Sequence, residues 1–351
     1  MADTPRTATH PPPDQAPDAI STVELPGPWE HLRVAAHGAR FHVALSSPAA
    51  PVPGAVVATG SRPPLVLFLH GFPEFWWAWR HQLPALSAAG YRAAAMDLRG
   101  YGGSDKTPRG YDPVNLADDV AGVIRALGED SAFVVGHGWG GIAAWALAVV
   151  HPPLVRGLVA VAAPHPLRLR GPARVSGAQL QRAGHLLAFQ APWFPERALV
   201  ADGAAMVGSL LRRWSAPGSA FPTPDEEQRY RAAMSIWPAS HCAMEYHRWL
   251  VRSYWRSDGR RFVGRLKQPV TAPVLQLHGT ADRSMLPRTA RGSDAYVSAP
   301  YEWHDVVGAG HFPHEEAVEE FNAALLGWLD EQRRVGRPGR SVRWSGSARH
   351  R

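Results

Sequence analysis

The chain has 351 residues, of which 45% are hydrophobic, so it can bury a large core and is long enough for one α/β domain with a sizeable insertion. Its formal net charge of +7 is accounted for by the seven arginines of segment 333–351, which leaves the remainder neutral and argues against a nucleic-acid-binding domain. The lone cysteine, Cys242, excludes an intramolecular disulfide and a thiolate metal cluster. Residues 1–19 lack the apolar run of a secretion signal and no later stretch is long enough to span a bilayer, so we expect a cytoplasmic protein.

The pattern of hydrophobic residues predicts an α/β fold. Period-two alternation in 31–35 and 40–45, with a His-Gly pair between them, predicts an opening β-hairpin. Short apolar runs then alternate with helical segments, and these runs are 65–69, 93–96, 133–135, 158–162, 274–277 and 301–307. This alternation is typical of a mostly parallel sheet with helices on both faces.

The alternation stops between residues 166 and 261, where long helical stretches are punctuated by prolines. We therefore predict a core domain formed by 22–165 and 262–332, with 166–261 inserted as a helical lid. The proline-rich segment 1–21 and the basic tail 333–351 are expected to be disordered.

Two motifs follow predicted strands and indicate a catalytic site at the carboxyl edge of the sheet. The first, 70–74, reads His-Gly-Phe-Pro-Glu, and the second, 136–141, reads Gly-His-Gly-Trp-Gly-Gly. A buried strand, a sharp turn and an apolar helix form the layout of a nucleophile elbow, and the residue at its apex is Gly138. Glycine offers no side chain for a covalent intermediate. The backbone N–H groups of Phe72 and Trp139 are the expected oxyanion-hole donors.

A carboxylate and a histidine follow the last two predicted strands. Asp282 comes after the run 274–277, and His311 after the run 301–307. The order of nucleophile position, acid and histidine is the one that α/β hydrolases use. A carboxylate on Nδ1 fixes the histidine tautomer and leaves Nε2 as the base. We predict that Asp282 and His311 form a catalytic dyad.

Together these segments resemble the epoxide hydrolase family of α/β-hydrolase proteins. The residues that carry the resemblance are 70–76, 97–105, 136–141, Asp282 and 310–312. The resemblance covers about residues 30 to 330 and implies an α/β-hydrolase fold with a diol-forming activity. In that family an aspartate between the His and Trp of the elbow attacks the epoxide carbon. A histidine-activated water then hydrolyses the alkyl-enzyme ester.

The sequence departs from that family at three positions. Gly138 replaces the nucleophilic aspartate. The family's first lid tyrosine lies four residues before a Phe-Gln pair, and here His185 stands four residues before Phe189. Tyr254 or Trp255 falls at the second tyrosine position. The side chains expected in the substrate pocket are Trp76, His185, Phe189 and Tyr254.

Three functions fit these observations. The first is a hydrolase in which His311 activates water for direct attack on a small apolar molecule, using the space that Gly138 leaves free. The second is a catalytically silent protein that binds a small apolar ligand or a partner. The third is cofactor-free proton transfer by His311. The 17 histidines show no metal-binding spacing tied to this site, so we expect no metal and no cofactor.

Overall fold

The structure is a computed structural model that describes residues 19–49, 62–170 and 176–335. The strands are β1 (Glu30–Ala36), β2 (Ala39–Ser46), β3 (Leu65–Leu69), β4 (Arg92–Met96), β5 (Ala132–His137), β6 (Val155–Val161), β7 (Val274–Gly279) and β8 (Tyr301–Val306). Within the described residues they form one eight-stranded sheet in the order β1-β2-β4-β3-β5-β6-β7-β8.

The sheet is mostly parallel. β1 pairs antiparallel with β2, which is the predicted hairpin, and β2 pairs antiparallel with β4. The remaining neighbours are parallel. Every residue of β3, β5 and β7 is buried, as expected for parallel strands covered on both faces. The predicted α/β fold is therefore confirmed, and each predicted apolar run falls on a strand.

Helices flank the sheet. They are α1 (Ala19–Val23), α2 (Gln82–Ala88), α3 (Pro113–Ala126), α4 (Trp139–Val150), α5 (Gly177–Arg182), α6 (His185–Ala188), α7 (Phe194–Trp214), α8 (Pro224–Ser235), α9 (Ala239–Arg252), α10 (Ser257–Arg265), α11 (Pro287–Ala290), α12 (Pro313–Glu316) and α13 (Val318–Val335). Among the described helices, none is long and apolar enough to cross a bilayer.

Helices α5 to α10 all lie between β6 and β7, in the part of the chain that was predicted as the lid. We call this stretch the helical insertion. The predicted boundary at residue 261 is wrong because it cuts through α10. Phe262 of that helix is buried and its ring meets Trp249 of α9 at 5.6 Å between centroids, so the insertion continues to Arg265.

Parts of the two segments that were expected to be disordered are helical. Helix α1 begins at Ala19, and Val23 at its end is fully buried, with its carbonyl accepting a hydrogen bond from the Trp76 indole. Helix α13 runs to Val335, and the Arg333 guanidinium lies 4.7 Å above the Tyr91 ring. Residues 19–21 and 333–335 therefore belong to helices α1 and α13. The rest of the two predictions, 1–18 and 336–351, lies outside the described residues.

Candidate active site

The turn between β5 and α4 has the geometry of a nucleophile elbow. Gly138 lies at its apex with φ 51° and ψ −112°, in the positive-φ region that favours glycine. Its N–H donates to the carbonyl of Val161 at 3.1 Å, and its carbonyl accepts from Ile142 at 3.0 Å. A Cβ added to Gly138 would meet only Gly71 Cα, at 3.6 Å. Backbone strain, rather than lack of space, therefore opposes a side chain here.

The loop after β3 packs directly against this elbow. Gly140 donates its N–H to the carbonyl of His70 at 3.1 Å. A side chain on Gly140 would collide with the Leu69 carbonyl, so glycine is required for this close approach. The contact brings the Phe72 and Trp139 backbones to one cavity. In the described part of the chain, neither N–H donates a hydrogen bond, so both remain available to a ligand.

The structure brings Asp282 and His311 together at the carboxyl edge of the sheet. His311 Nδ1 lies 2.9 Å from Asp282 Oδ2, and the other carboxylate oxygen accepts the N–H groups of Ser284 and Met285. Asp282 is 4% exposed and His311 6% exposed. Burial lowers the pKa of His311, but the charge and hydrogen bond of Asp282 outweigh burial and raise that pKa above 6.5.

His311 presents its second ring nitrogen to the cavity. The ring lines the cavity together with Gly138, and Nε2 makes no hydrogen bond to any described residue. Since Nδ1 faces the Asp282 carboxylate, Nδ1 carries the proton and the Nε2 lone pair is free in the neutral ring. The arrangement therefore places a base next to the unoccupied side-chain position of Gly138.

A second buried carboxylate, Glu74, forms hydrogen bonds with several of the loops that make up the site. Its Oε2 accepts hydrogen bonds from the Gly71 N–H at 2.9 Å and His137 Nδ1 at 2.6 Å, while Oε1 accepts from His314 Nε2 at 3.0 Å. His137 donates its other N–H to the His311 carbonyl at 2.9 Å. Burial raises the pKa of Glu74, but the two histidines outweigh burial and hold it well below 4.5. One side chain thus links the Phe72 loop, the elbow and the His311 loop.

We expect Glu74→Gln to lower the free energy of unfolding by about 3 kcal/mol, because the amide would direct an N–H at His137 or His314 inside a dry core. Urea unfolding at pH 7 measures the loss, with the exposed Glu319→Gln as the control. Because the pKa of Glu74 is lowered on folding, its contribution is present above pH 4.5 and lost as pH falls through the lower folded value. A difference that grew toward acid would contradict this.

Two carboxylate–histidine groups bring potential metal-ligand atoms close together. Glu74, His137 and His314 bring ligand atoms within 4.8 Å of one another, but hydrogen bonds already join them. The second group holds His81, Glu226 and Glu315. The Arg80 guanidinium pairs with both of its carboxylates, at 2.6 and 2.7 Å. Neither group therefore supplies a ligand set for a metal, and the absence of a metal stays a prediction.

The cavity above Gly138 is small and mostly apolar. It encloses about 120 Å³ and lies between the elbow and the helical insertion. Its apolar wall consists of Phe72, Trp139, Ile142, Ala162, Ala163, Pro164, Leu169, Ala183, Leu186, Trp214, Leu250 and Met285. Its polar lining residues are Gln179, His185, His247, Ser284 and His311.

His185, which stands four residues before Phe189, is one of the residues that line the cavity. Its Nδ1 donates to the Arg182 carbonyl at 3.1 Å, which leaves Nε2 as a hydrogen-bond acceptor. Burial lowers the pKa of His185 below 6.5. His185 in its neutral form therefore cannot donate a hydrogen bond from Nε2, as a tyrosine hydroxyl would.

Sequence reasoning did not identify His247 as a residue of the site. It is 4% exposed and lines the cavity, with Nδ1 donating to the Ala243 carbonyl and Nε2 accepting from the Trp139 indole at 3.2 Å. Burial lowers its pKa to about 3. The available signal was helical spacing, because Ala243, His247 and Leu250 fall on one face of α9.

The structure contradicts Trp76 as a pocket residue. Trp76 is fully buried, and its backbone N–H donates to Asp97 Oδ1 at 2.8 Å. This bond starts the 3₁₀ turn Trp76–Trp79 so that the indole enters the core, where it donates to the Val23 carbonyl and meets the Trp29 ring at 5.2 Å. The Trp76 side chain therefore packs in the core next to α1 and does not line the cavity.

Tyr254 and Phe189 also do not line the cavity. Helix α9 ends at Arg252, and the two following aromatic residues turn outward. Tyr254 is 47% exposed and donates to the Leu169 carbonyl, and Trp255 is 76% exposed. Phe189 is buried, but it supports the wall from outside by packing against Phe72 and His247.

An elbow after β5, an acid after β7 and a histidine after β8 define an α/β-hydrolase site. The family model described as alpha/beta hydrolase fold matches residues 64–318, and the chain belongs to that family, with epoxide hydrolases among its relatives. Epoxide hydrolase 4 of Homo sapiens is 36% identical over 94% of this chain and 86% of its own. Epoxide hydrolase 3 of Xenopus tropicalis is 31% identical over 91% of this chain and 82% of its own length. An epoxide hydrolase structure from an endophytic Streptomyces has a TM-score of 0.73 and 28% identity, covering 88% of this chain and 97% of that one.

Proposed function

We propose that this protein is a hydrolase of the epoxide hydrolase kind in which His311 activates a water molecule for direct attack on a small, mostly apolar substrate. Gly138 takes the position of the nucleophile. The observation that carries the proposal is the buried His311–Asp282 pair, whose free Nε2 lines the cavity beside Gly138. A buried charged pair is costly to desolvate, and this pair differs from the Glu74 group because one ring nitrogen, Nε2 of His311, has no hydrogen-bond partner among the described residues.

The steps follow from the positions of these groups. A water molecule, whose share of liquid volume is about 30 Å³, occupies the space beside Gly138. Nε2 of His311 takes one proton while the water oxygen attacks the substrate carbon, and Asp282 stabilises the imidazolium. The N–H groups of Phe72 and Trp139 stabilise the negative oxygen that develops on the substrate. His311 then returns its proton to that oxygen or to the leaving group.

Epoxides and short esters are the two substrate classes that fit the site. The names of the relatives point to epoxides. Opening an epoxide by hydrolysis benefits from an acid that protonates the ring oxygen, and no tyrosine lines this cavity among the described residues. Two free N–H groups beside a water-activating base are also what ester hydrolysis requires. We therefore propose epoxides and short esters as candidate substrates.

The pH profile should reflect His311. Only the neutral ring acts as a base, and its pKa is raised above 6.5, so kcat should fall as pH drops through a value above 6.5. Stopped assays between pH 5 and pH 9 measure this profile, in a range over which circular dichroism verifies the fold. A rate that stays constant down to pH 6 would contradict His311 as the base.

The direct test is hydrolysis of an aryl epoxide and a short aryl ester by the wild type and by His311→Ala. We expect wild-type turnover of at least one substrate and a loss on the order of 10³-fold in the variant. His241→Ala is the matched control, because His241 is exposed and remote from the cavity. Equal rates for the wild type and His311→Ala would refute the proposal.

A second candidate is a silent protein that binds a small apolar ligand. The observation in its favour is that Gly138 offers no nucleophile while His185 offers an acceptor in place of a donor. Absence of wild-type turnover for both substrates, together with saturable binding of the same compounds, would establish this reading instead.

A further inference from the structure

A groove between the helical insertion and the loop after β7 carries unpaired positive charge. It encloses about 450 Å³, and its lining residues are Gln181, Arg182, His185, Arg213, Trp214 and Arg283. We call it the arginine groove. It contains three guanidinium groups and no carboxylate. In the described part of the chain, no ion pair joins Arg182, Arg213 or Arg283 to an acidic side chain, whereas the neighbouring Arg212 is paired with Glu227.

The three arginines come from separate segments that the fold holds together. Arg182 ends α5, Arg213 lies in the last turn of α7, and Arg283 follows the catalytic Asp282 directly. Arg182 also donates a hydrogen bond to the Arg283 carbonyl at 2.9 Å, which joins the two sides of the groove. Like charges brought together without a counter-ion repel one another and create a positive potential, which an anion relieves.

The arginine groove adjoins the active-site cavity. His185 and Trp214 line both, and their ring centroids lie 5.5 Å apart. His185 is only partly buried and belongs to the four-residue helix α6, whereas Trp214 is 7% exposed. A ligand that passes beside the His185 ring would have one end among apolar cavity residues and the other among guanidinium groups.

We propose that the arginine groove is a subsite for the carboxylate of an amphipathic substrate, whose apolar part carries the reactive group into the cavity. Guanidinium groups match carboxylate geometry because two parallel N–H donors meet two oxygens. The substrate class is therefore an apolar monocarboxylic acid rather than a neutral hydrocarbon derivative. This inference rests on the proposed function only in taking the cavity as the place where substrate binds.

The test is calorimetric titration of the wild-type protein with octanoate and with octan-1-ol, which share one chain and differ in charge. We expect octanoate to bind about tenfold more tightly at low ionic strength, because each exposed guanidinium adds up to a few-fold. This preference should shrink in about 1 M salt, where the Debye length falls to about 3 Å. Equal binding of the two ligands, or binding of neither, would overturn the proposal.

A triple variant locates the effect. Arg182→Gln, Arg213→Gln and Arg283→Gln together should remove the octanoate preference and leave octan-1-ol binding within about twofold. The charge-matched control replaces three exposed arginines of α10, by Arg260→Gln, Arg261→Gln and Arg265→Gln, and should keep the preference. Loss in the control as well would show a general charge effect and overturn the subsite.

A single substitution keeps the subsite testable if the triple variant does not fold. Arg213 is exposed, so Arg213→Glu should fold and should weaken octanoate more than octan-1-ol. A preference for octanoate as large as that of the wild type would contradict the subsite. Because binding is measured without turnover, failure of the His311 chemistry would not change any of these outcomes.

Discussion

Gly138→Asp is expected to replace the proposed direct water attack with a reaction through an alkyl-enzyme ester and to raise aryl epoxide turnover. The carboxylate would enter the space above Gly71, where an added Cβ meets only one atom. Removing the nucleophile of a serine protease lowers the rate on the order of 10⁶-fold, so restoring a nucleophile could raise the rate by as much. The gain here should be smaller, because the described part of the site lacks a general acid that protonates the epoxide oxygen. We therefore expect a gain on the order of 10²- to 10⁴-fold.

Gly138→Ala is the control that separates the effect of a nucleophile from the loss of stability that any side chain at the elbow causes. Both variants adopt φ 51° with a Cβ, so both should lose about 1–3 kcal/mol of stability. Only the aspartate supplies a nucleophile, so the alanine variant should show no gain. Thermal unfolding and epoxide assays of the two variants measure both effects. Equal activity of Gly138→Asp and Gly138→Ala would show that the elbow does not present its side chain to the substrate.

Asp282→Asn is expected to lower turnover on the order of 10⁴-fold while leaving the fold intact. The asparagine oxygen can still accept the N–H groups of Ser284 and Met285. Its amide then faces His311 Nδ1 as a donor, which moves the ring proton to Nε2 and removes the base from the cavity. The loss of negative charge also lowers the His311 pKa.

The control for Asp282→Asn is the exposed Asp294→Asn, which removes one negative charge outside the dyad. Initial rates with the best substrate and near-ultraviolet circular dichroism measure activity and packing. A loss of less than about tenfold in a well-folded Asp282→Asn would mean that His311 does not depend on this carboxylate.

The sheet and the elbow could be predicted because their signals are local. The runs 65–69 and 133–135 are short, apolar and followed by glycine-rich turns, and such runs coincide with β3 and β5. Asp282 and His311 could be placed because each follows a strand of a parallel sheet, and the carboxyl ends of such strands meet at one edge.

The walls of the cavity could not be predicted in the same way, because side-chain direction depends on tertiary packing. Trp76 is close in sequence to Phe72, yet a bond to Asp97 turns its indole into the core. Tyr254 follows the end of α9, so helical spacing no longer constrains where it points. His247 lies inside α9 and is buried, but histidine is a polar residue type, so the sequence alone does not indicate that it faces the interior. The arginine groove likewise depends on contacts between segments far apart in sequence.

A single turnover in H₂¹⁸O tests most directly whether water attacks the substrate without an enzyme-bound ester. With excess wild-type protein and an aryl epoxide, direct attack predicts one ¹⁸O atom in the diol from the first turnover. The same experiment with Gly138→Asp should give an unlabelled first diol, because its oxygen would come from the aspartate. An unlabelled first diol from the wild type would show that another carboxylate attacks, and would contradict the account.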